Sequence, residues 1–243
     1  MVYDENIRYN FYDLDSRGDV KLAALLRYIN LGAGQNAQDI GIGFDTTMSM
    51  GLAFVIQRFS LKINRWPAFQ EEARIRTWPA EITKGTYRRN GDMYDAKGDK
   101  LAEWTGQWVL IDINERKVKR PKALPISFQN YGAMDVTIEN IKPEPPQDGT
   151  SIAAYKHIAR YSEMDVNEHM NNAVYGELIA NVLELSGSPY KKVLCFKEVH
   201  FNYLNETRLG EEIDVEALQG DKSLYFSGKV GDKMVFATSI KTG

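Results

Sequence analysis

Apolar residues recur at two periods along this chain, and the change from one period to the other happens twice. Leu22, Leu25, Leu26 and Ile29 keep the three-and-four spacing of a buried helical face, which predicts a helix across KLAALLRYINLGAGQNAQDIG. The period then drops to two. Phe59, Leu61 and Ile63 alternate with polar neighbours, as do Ala73, Ile75 and Thr77, and each set predicts a strand. TYRRNGDMYDAKGDKLAEWTGQWVLID predicts two further extended runs around the turn AKGDK. The second series starts with a helix over NNAVYGELIANVLELSG. Alternation follows at Val199, Phe201 and Tyr203, then at Ile213, Val215 and Ala217, and a hairpin turns at Gly231-Asp232.

The two series can be laid on each other. A shift of 150 places Leu14 and Asp15 on Met164 and Asp165, and Ala23 on Ala173; a shift of 140 places Leu61, Ile63 and Ile75 on Phe201, Tyr203 and Val215. Each half therefore reads as one helix followed by a mainly antiparallel sheet, an α+β unit. A curved sheet would bury the helix stripe by wrapping it, and two such sheets are expected to pair at an edge. Between the halves, five of the eight prolines fall at positions 121, 125, 143, 145 and 146. Proline removes a ladder donor and holds its neighbours extended, so this stretch reads as a surface linker. The expected organisation is residues 1–120, a linker at 121–150, and residues 151–243.

Composition narrows the class. The 243 residues are 43% hydrophobic and 26% charged, ordinary for a globular chain, and the net charge of -3 argues against a nucleic-acid binder. No apolar run approaches the roughly 20 residues that span a bilayer. The polar, acidic start MVYDENIRYN does not have the layout of a secretory signal. The one cysteine, Cys195, lies in the apolar run VLCF and reads as a small core residue. These features give the expectation of a cytoplasmic protein that acts without a membrane.

The densest polar text is YSEMDVNEHMNNAVY, residues 161–175. Asp165, Asn167 and His169 stand at every second position and would point to one side of an extended stretch, about 6.6 Å from one to the next. The helix is expected to begin near His169, which would put Asn172, Ala173 and Gly176 on the histidine's face. A helix start offers backbone N–H groups suited to a developing oxyanion. Taken singly, Asp and Asn here read more plainly as caps; several polar groups converging before an apolar face read as a site.

DVNEHMNNAVY resembles the D-x-N-x-H-x-N-N-x-x-Y signature of the acyl-acyl carrier protein thioesterases, the plant chloroplast enzymes and their bacterial relatives. LKINRWPAFQEEARIRTWP and WTGQWVLIDINERKVKRP also resemble that family's text, in the same order and over nearly the whole chain. The resemblance implies tandem hotdog domains with one catalytic half, and acyl carrier protein with its phosphopantetheine-linked acyl chain as partner; a homodimer is left open, and no cofactor is expected because the sequence has no Walker or dinucleotide glycine motif. It implies catalytic roles for Asp165, Asn167 and His169, and for Glu206 within Tyr203-Leu204-Asn205-Glu206-Thr207. Plant members carry cysteine where Thr207 stands, so a cysteine nucleophile is not available at that position, and activated water is expected instead. Glu206 and His169 would activate it, with Asp165 orienting His169 or sharing the base role. Asn167 would position water or substrate, and N–H groups near Asn171 and Asn172 would hold the oxyanion.

In the first half the offsets replace Asn167 by Arg17, His169 by Asp19, Asn172 by Leu22 and Glu206 by Trp66. That half is expected to hold the acyl chain, with Trp66 lining it and Phe54 and Phe59 as further candidates, although an aromatic in such a place is as readily core. Thr207 is assigned beside the substrate. The basic run at residues 114–122, with Arg88 and Arg89, would steer an acidic carrier; its plainer reading is a solvated strand end. An acyl-CoA thioesterase and a non-catalytic lipid-binding module are the competing readings. Histidines 157, 169 and 200 lack metal-ligand spacing.

Overall fold

A computed structural model describes residues 1–83, 85–124, 136–190 and 192–243. It divides into two compact units, Met1–Tyr9 with Tyr28–Asn140, and Asn10–Arg27 with Ile141–Gly243. The division does not follow chain order, because Asn10–Arg27 groups with the C-terminal unit. Arg17 and Arg27 form ion pairs there with Glu184 and Glu177.

The N-terminal unit is built on strands β1 (Tyr3–Arg8), β2 (Leu52–Ile63), β3 (Glu72–Thr83), β4 (Thr86–Asp95) and β5 (Lys100–Asp112), with the short β6 (Val118–Lys119) beside β5. Helix α1 (Leu22–Asp39), of which residues 28–39 belong to this unit, and the short α2 (Phe44–Ser49) precede β2. The strands lie in the order β1-β3-β4-β5-β2, all antiparallel. The C-terminal unit repeats this with β7 (Thr150–Ile158), α3 (Val174–Ser186), β8 (Phe196–Tyr203), β9 (Glu212–Gln219), β10 (Ser223–Val230) and β11 (Lys233–Thr242), ordered β7-β9-β10-β11-β8. Each unit is one main helix against an antiparallel sheet, the α+β hotdog arrangement. The predicted alternation is real burial: Phe59, Leu61, Ile63, Ala73, Ile75, Val199, Phe201, Ile213, Val215 and Ala217 are all buried.

Several expectations need correction. Strands β1 and β7 were not legible, because edge strands with much of their length exposed carry little apolar alternation. Cys195 is only partly buried; it ends a 3-10 turn, Val193–Cys195, whose inward positions go to Val193 and the following Phe196. Of the stretch expected as a linker, residues 125–135 lie outside the described residues. Its later part is not free of the sheet: Ile138 is buried, Thr137 hydrogen-bonds the Glu103 carboxylate, and Asn140 Nδ2 donates to the Thr105 carbonyl at 3.4 Å. Among the described residues no helix is long and apolar enough to cross a membrane.

Candidate active site

The polar text before α3 folds as a turn, neither extended nor helical. Asp165 N–H donates to the His169 carbonyl at 2.8 Å, Glu168 N–H to the Asp165 carbonyl at 3.0 Å, and Asn167 N–H to Asp165 Oδ1 at 2.8 Å. Met164 and Met170 bridge across its base. The alternation of Asp165, Asn167 and His169 therefore does not aim them along one strand face. It is the spacing of an aspartate-capped turn, which Asn and Asp side chains favour. Helix α3 begins at Val174 instead of near His169.

Two bonds hold this turn in place. Asn171 N–H donates to the Glu163 carbonyl at 2.9 Å, and Met170 N–H to the Thr207 carbonyl at 2.9 Å. The second carries the turn to residues 206–208, and His169 Nε2 meets Glu206 Oε2 at 2.7 Å. The two side chains are 24% and 26% exposed, so the pair is reachable from outside yet partly shielded. Glu206 Oε1 accepts from Arg208 Nη2 at 2.9 Å, leaving the carboxylate braced on both oxygens.

The other expected residues take distinct places. The Asp165 carboxylate serves the turn and not the imidazole ring, while the Asn167 side chain is exposed. Asn171 Oδ1 accepts Ala173 N–H at 2.9 Å, and Val174 N–H goes to the Asn171 carbonyl at 2.9 Å. The N–H groups of residues 171, 173 and 174 are thus spent within the protein, which closes that part of the expected oxyanion site. Asn172 is held by its carbonyl, which accepts from Tyr203 Oη at 3.3 Å. Thr207 is 1% exposed, and its hydroxyl lies 3.2 Å from Tyr175 Oη. That makes it an anchor of the loop. Burial pushes the Tyr175 phenol up to about 12, and that of Tyr203 well above the usual range, so both act as neutral hydrogen-bonding groups. Trp66 belongs to the N-terminal unit, buried at 7% exposure, with its carbonyl accepting from Arg65 at 3.2 Å.

Sequence reasoning missed Arg208, Tyr175, Tyr203 and the pair His157–Glu163, joined at 2.8 Å. Tyr175 and Tyr203 were both quoted in motif text, and their spacing from Asn172 and Glu206 was the available signal. Nothing in the text said that exposed Arg208 folds back onto Glu206. Among the described residues no cluster of three His, Cys, Asp or Glu side chains is placed to hold a metal ion.

The internal repeat holds bond by bond. Asp15 N–H to Asp19 carbonyl at 2.8 Å, Arg17 N–H to Asp15 Oδ1 at 2.8 Å, Lys21 N–H to Asp13 carbonyl at 2.9 Å and the Leu14–Val20 bridge reproduce the second turn at a shift of 150. In this copy the histidine position is Asp19, and Arg17, at the Asn167 position, is turned onto Glu184 and Asp15. One copy of the turn carries a histidine paired with a glutamate, and the other keeps the same backbone scaffold without either.

Residues 1–122 match the family described as the acyl-ACP thioesterase N-terminal domain, and residues 146–236 its C-terminal domain. The chain belongs to the acyl-ACP thioesterase family. Among its relatives is a chloroplastic dodecanoyl-[acyl-carrier-protein] hydrolase of Cinnamomum camphora, 23% identical over 193 residues that cover 74% of this chain and 50% of that protein. A chloroplastic oleoyl-acyl carrier protein thioesterase of Coriandrum sativum is 25% identical over 236 residues, 88% of this chain and 61% of that protein. The chain spans about half the length of the first of these plant relatives. In solved structures, an acyl-ACP thioesterase from Bacteroides thetaiotaomicron matches with a TM-score of 0.83 at 20% identity, covering 100% of this chain and 98% of that one. The 12:0-ACP thioesterase of Umbellularia californica matches with a TM-score of 0.78 at 16% identity, covering 99% and 96%. These likenesses establish the tandem hotdog fold for this member of the family.

Proposed function

We propose that this chain hydrolyses the thioester of a fatty acyl group carried on acyl carrier protein, releasing the free fatty acid, with water as nucleophile. The observation that carries the reading is the 2.7 Å pair of His169 and Glu206 in one copy of a turn whose other copy lacks both.

Glu206 Oε2 accepts the Nε2 proton of neutral His169, which leaves Nδ1 as the acceptor. A water at Nδ1 can lose its proton to the ring as its oxygen attacks the carbonyl, and Glu206 stabilises the imidazolium that forms. Arg208 fixes the other carboxylate oxygen, so Glu206 holds the ring in one orientation. Asp165 acts through the backbone, by setting the turn. The Asn171 amide is oriented by its bond to Ala173 N–H, and its Nδ2 donors have no acceptor among the described residues; they are assigned to the developing oxyanion, with Asn167 contacting water or substrate. The thiolate leaves readily and needs little acid assistance. Asn172 and Thr207 support the loop, and the N-terminal unit, Trp66 included, is assigned the acyl chain. The setting expected for this reaction is the cytoplasm.

The test is thiol release from acyl-ACP by the purified protein, with the same acyl chain on CoA for comparison. His169→Ala and Glu206→Gln should each lower kcat by about 10²-fold or more. Full activity in both would remove the mechanism, and faster turnover of the CoA ester would favour an acyl-CoA thioesterase. A Thr207→Ala protein that folds but is inactive would point to a threonine nucleophile.

A further inference from the structure

The interior of the N-terminal unit holds a charge that the fold does not require. Arg89 lies on β4, opposite Pro79 on β3 and Gly106 on β5, and is 8% exposed. Its Nη1 donates to Asn36 Oδ1 at 2.7 Å. Asn36, on α1, is fully buried, and its Nδ2 donates to the Met1 carbonyl at 3.1 Å, which turns its oxygen toward Arg89. Among the described residues no carboxylate pairs with Arg89, and its remaining guanidinium donors have no protein acceptor. Burial pulls this guanidinium down to about 10, so it remains charged at neutral pH.

The internal repeat supplies the control. Gln219 faces Leu224 across β9 and β10 where Pro79 faces Arg89 across β3 and β4, and Leu224 is 1% exposed. At the position of Asn36 the second copy has Ser186, whose hydroxyl returns to the Leu183 carbonyl of its own helix at 2.8 Å. The architecture closes around leucine at this point. A buried cation matched only by a neutral amide is unfavourable unless something else completes it. A planar set of N–H donors fits a carboxylate. Next to Arg89 on the same face of β4, Tyr87 belongs to an apolar cluster with Ile42, Leu52, Leu110 and Leu124. A partner for this place combines an apolar body with an acceptor oxygen.

We infer that Arg89 and Asn36 form the polar end of a binding site inside the N-terminal unit for an aliphatic chain that ends in an acceptor oxygen, a carboxylate above all. The inference rests on the proposed hydrolysis only for the source of that chain. One source is the released fatty acid; the other is an acyl substrate that carries its own oxygen at the far end.

Isothermal titration of the whole protein with dodecanoate, and with dodecylammonium as the same chain bearing the opposite charge, tests the site without turnover. Dodecanoate should bind at least tenfold more tightly, and Arg89→Met should abolish that preference. Equal affinities in the unaltered protein, or a preference that survives in Arg89→Met, would overturn the inference. If Arg89→Met does not fold by circular dichroism, Asn36→Ser should weaken the preference about tenfold, and an undiminished preference there overturns it equally. The sources separate kinetically in Arg89→Met. A tenfold rise in the inhibition constant of dodecanoate assigns the released acid, and a tenfold fall in kcat/KM for an ω-carboxyacyl thioester relative to the plain one assigns the substrate's far end. An inactive protein that still prefers dodecanoate would defeat the thioesterase reading and leave this site standing.

Discussion

At Glu168 the backbone of the turn before α3 has a φ of 62°, in the left-handed region, and the corresponding residue of the first copy is Gly18 with a φ of 84°. A side chain there costs roughly 1–2 kcal/mol relative to glycine, partly offset by the greater freedom glycine brings to the unfolded chain. The Glu168 side chain is exposed and has no partner among the described residues, so removing it forfeits no bond. Glu168→Gly is therefore expected to raise stability by about 0.5–1 kcal/mol in urea unfolding. The strained turn carries His169 on its next residue, and relaxing it should lower kcat in the same protein. A variant that is both more stable and equally active would separate the strain from catalysis. The turn also marks what the text could not convey at this scale. Asp165-x-Asn167-x-His169 has the same period as a strand face and as an aspartate-capped turn, and only the bonds at Asp165 decide between them. Glu206 was legible only through the resemblance of Tyr203-Leu204-Asn205-Glu206-Thr207 to the family's text, whereas Arg208 gave no sign, since an exposed arginine in a loop usually points to solvent.

Elements were more legible than residues. Wherever one face is buried and the other is not, the sequence repeats the geometry, and α1, α3, β2, β3, β8 and β9 were all read from that alternation. The unread elements are short or weakly buried, namely helix α2, strand β6 and the edge strands β1 and β7, and the onset of α3 was misplaced where polar turn residues run directly into the apolar stripe. Helix α3 also contains a residue that propensity alone would misjudge. An alanine Cβ at Gly176 would lie 3.1 Å from Ala23 N and 3.3 Å from Ala23 Cα. Alanine is the better helix former by about 1 kcal/mol, but forcing a methyl against buried backbone costs about 1–3 kcal/mol. Ala23 is itself 1% exposed and has little room to yield. Gly176→Ala should thus destabilise by about 1 kcal/mol or more. Gly34→Ala on α1, where an added Cβ meets nothing within 4 Å, should stabilise by about 0.5–1 kcal/mol. If the two substitutions shift the urea midpoint in the same direction, the close approach at Gly176 has no energetic weight.

At the scale of the whole molecule the relevant quantity is charge. The chain carries a net charge of -3, and if its substrate rides on the acidic acyl carrier protein, as proposed, their encounter needs a local excess of positive charge. The structure trims the patch expected for this. Arg89 is buried, Arg88 is engaged by Glu81 at 3.0 Å, and Lys119 is neutralised by Asp112 at 3.1 Å and Glu115 at 3.4 Å. Lys117, Arg120 and Lys122 remain exposed and have no ion pair among the described residues. Exposed charges act mainly on association, and they lose influence as the screening length falls toward about 3 Å near 1 M salt. Reversing all three to glutamate should raise the apparent KM for acyl-ACP several-fold at low ionic strength, with kcat little altered. The difference should shrink steadily as salt is added. An acyl-pantetheine thioester has the same reacting bond without the acidic carrier or the phosphate, and its KM should not respond to the reversal. A KM that rises equally for both substrates would mean the substitutions disturb the protein itself. A KM that rises for neither would mean the carrier is met by another surface, and these three residues would then be the solvated end of β6 and the segment after it.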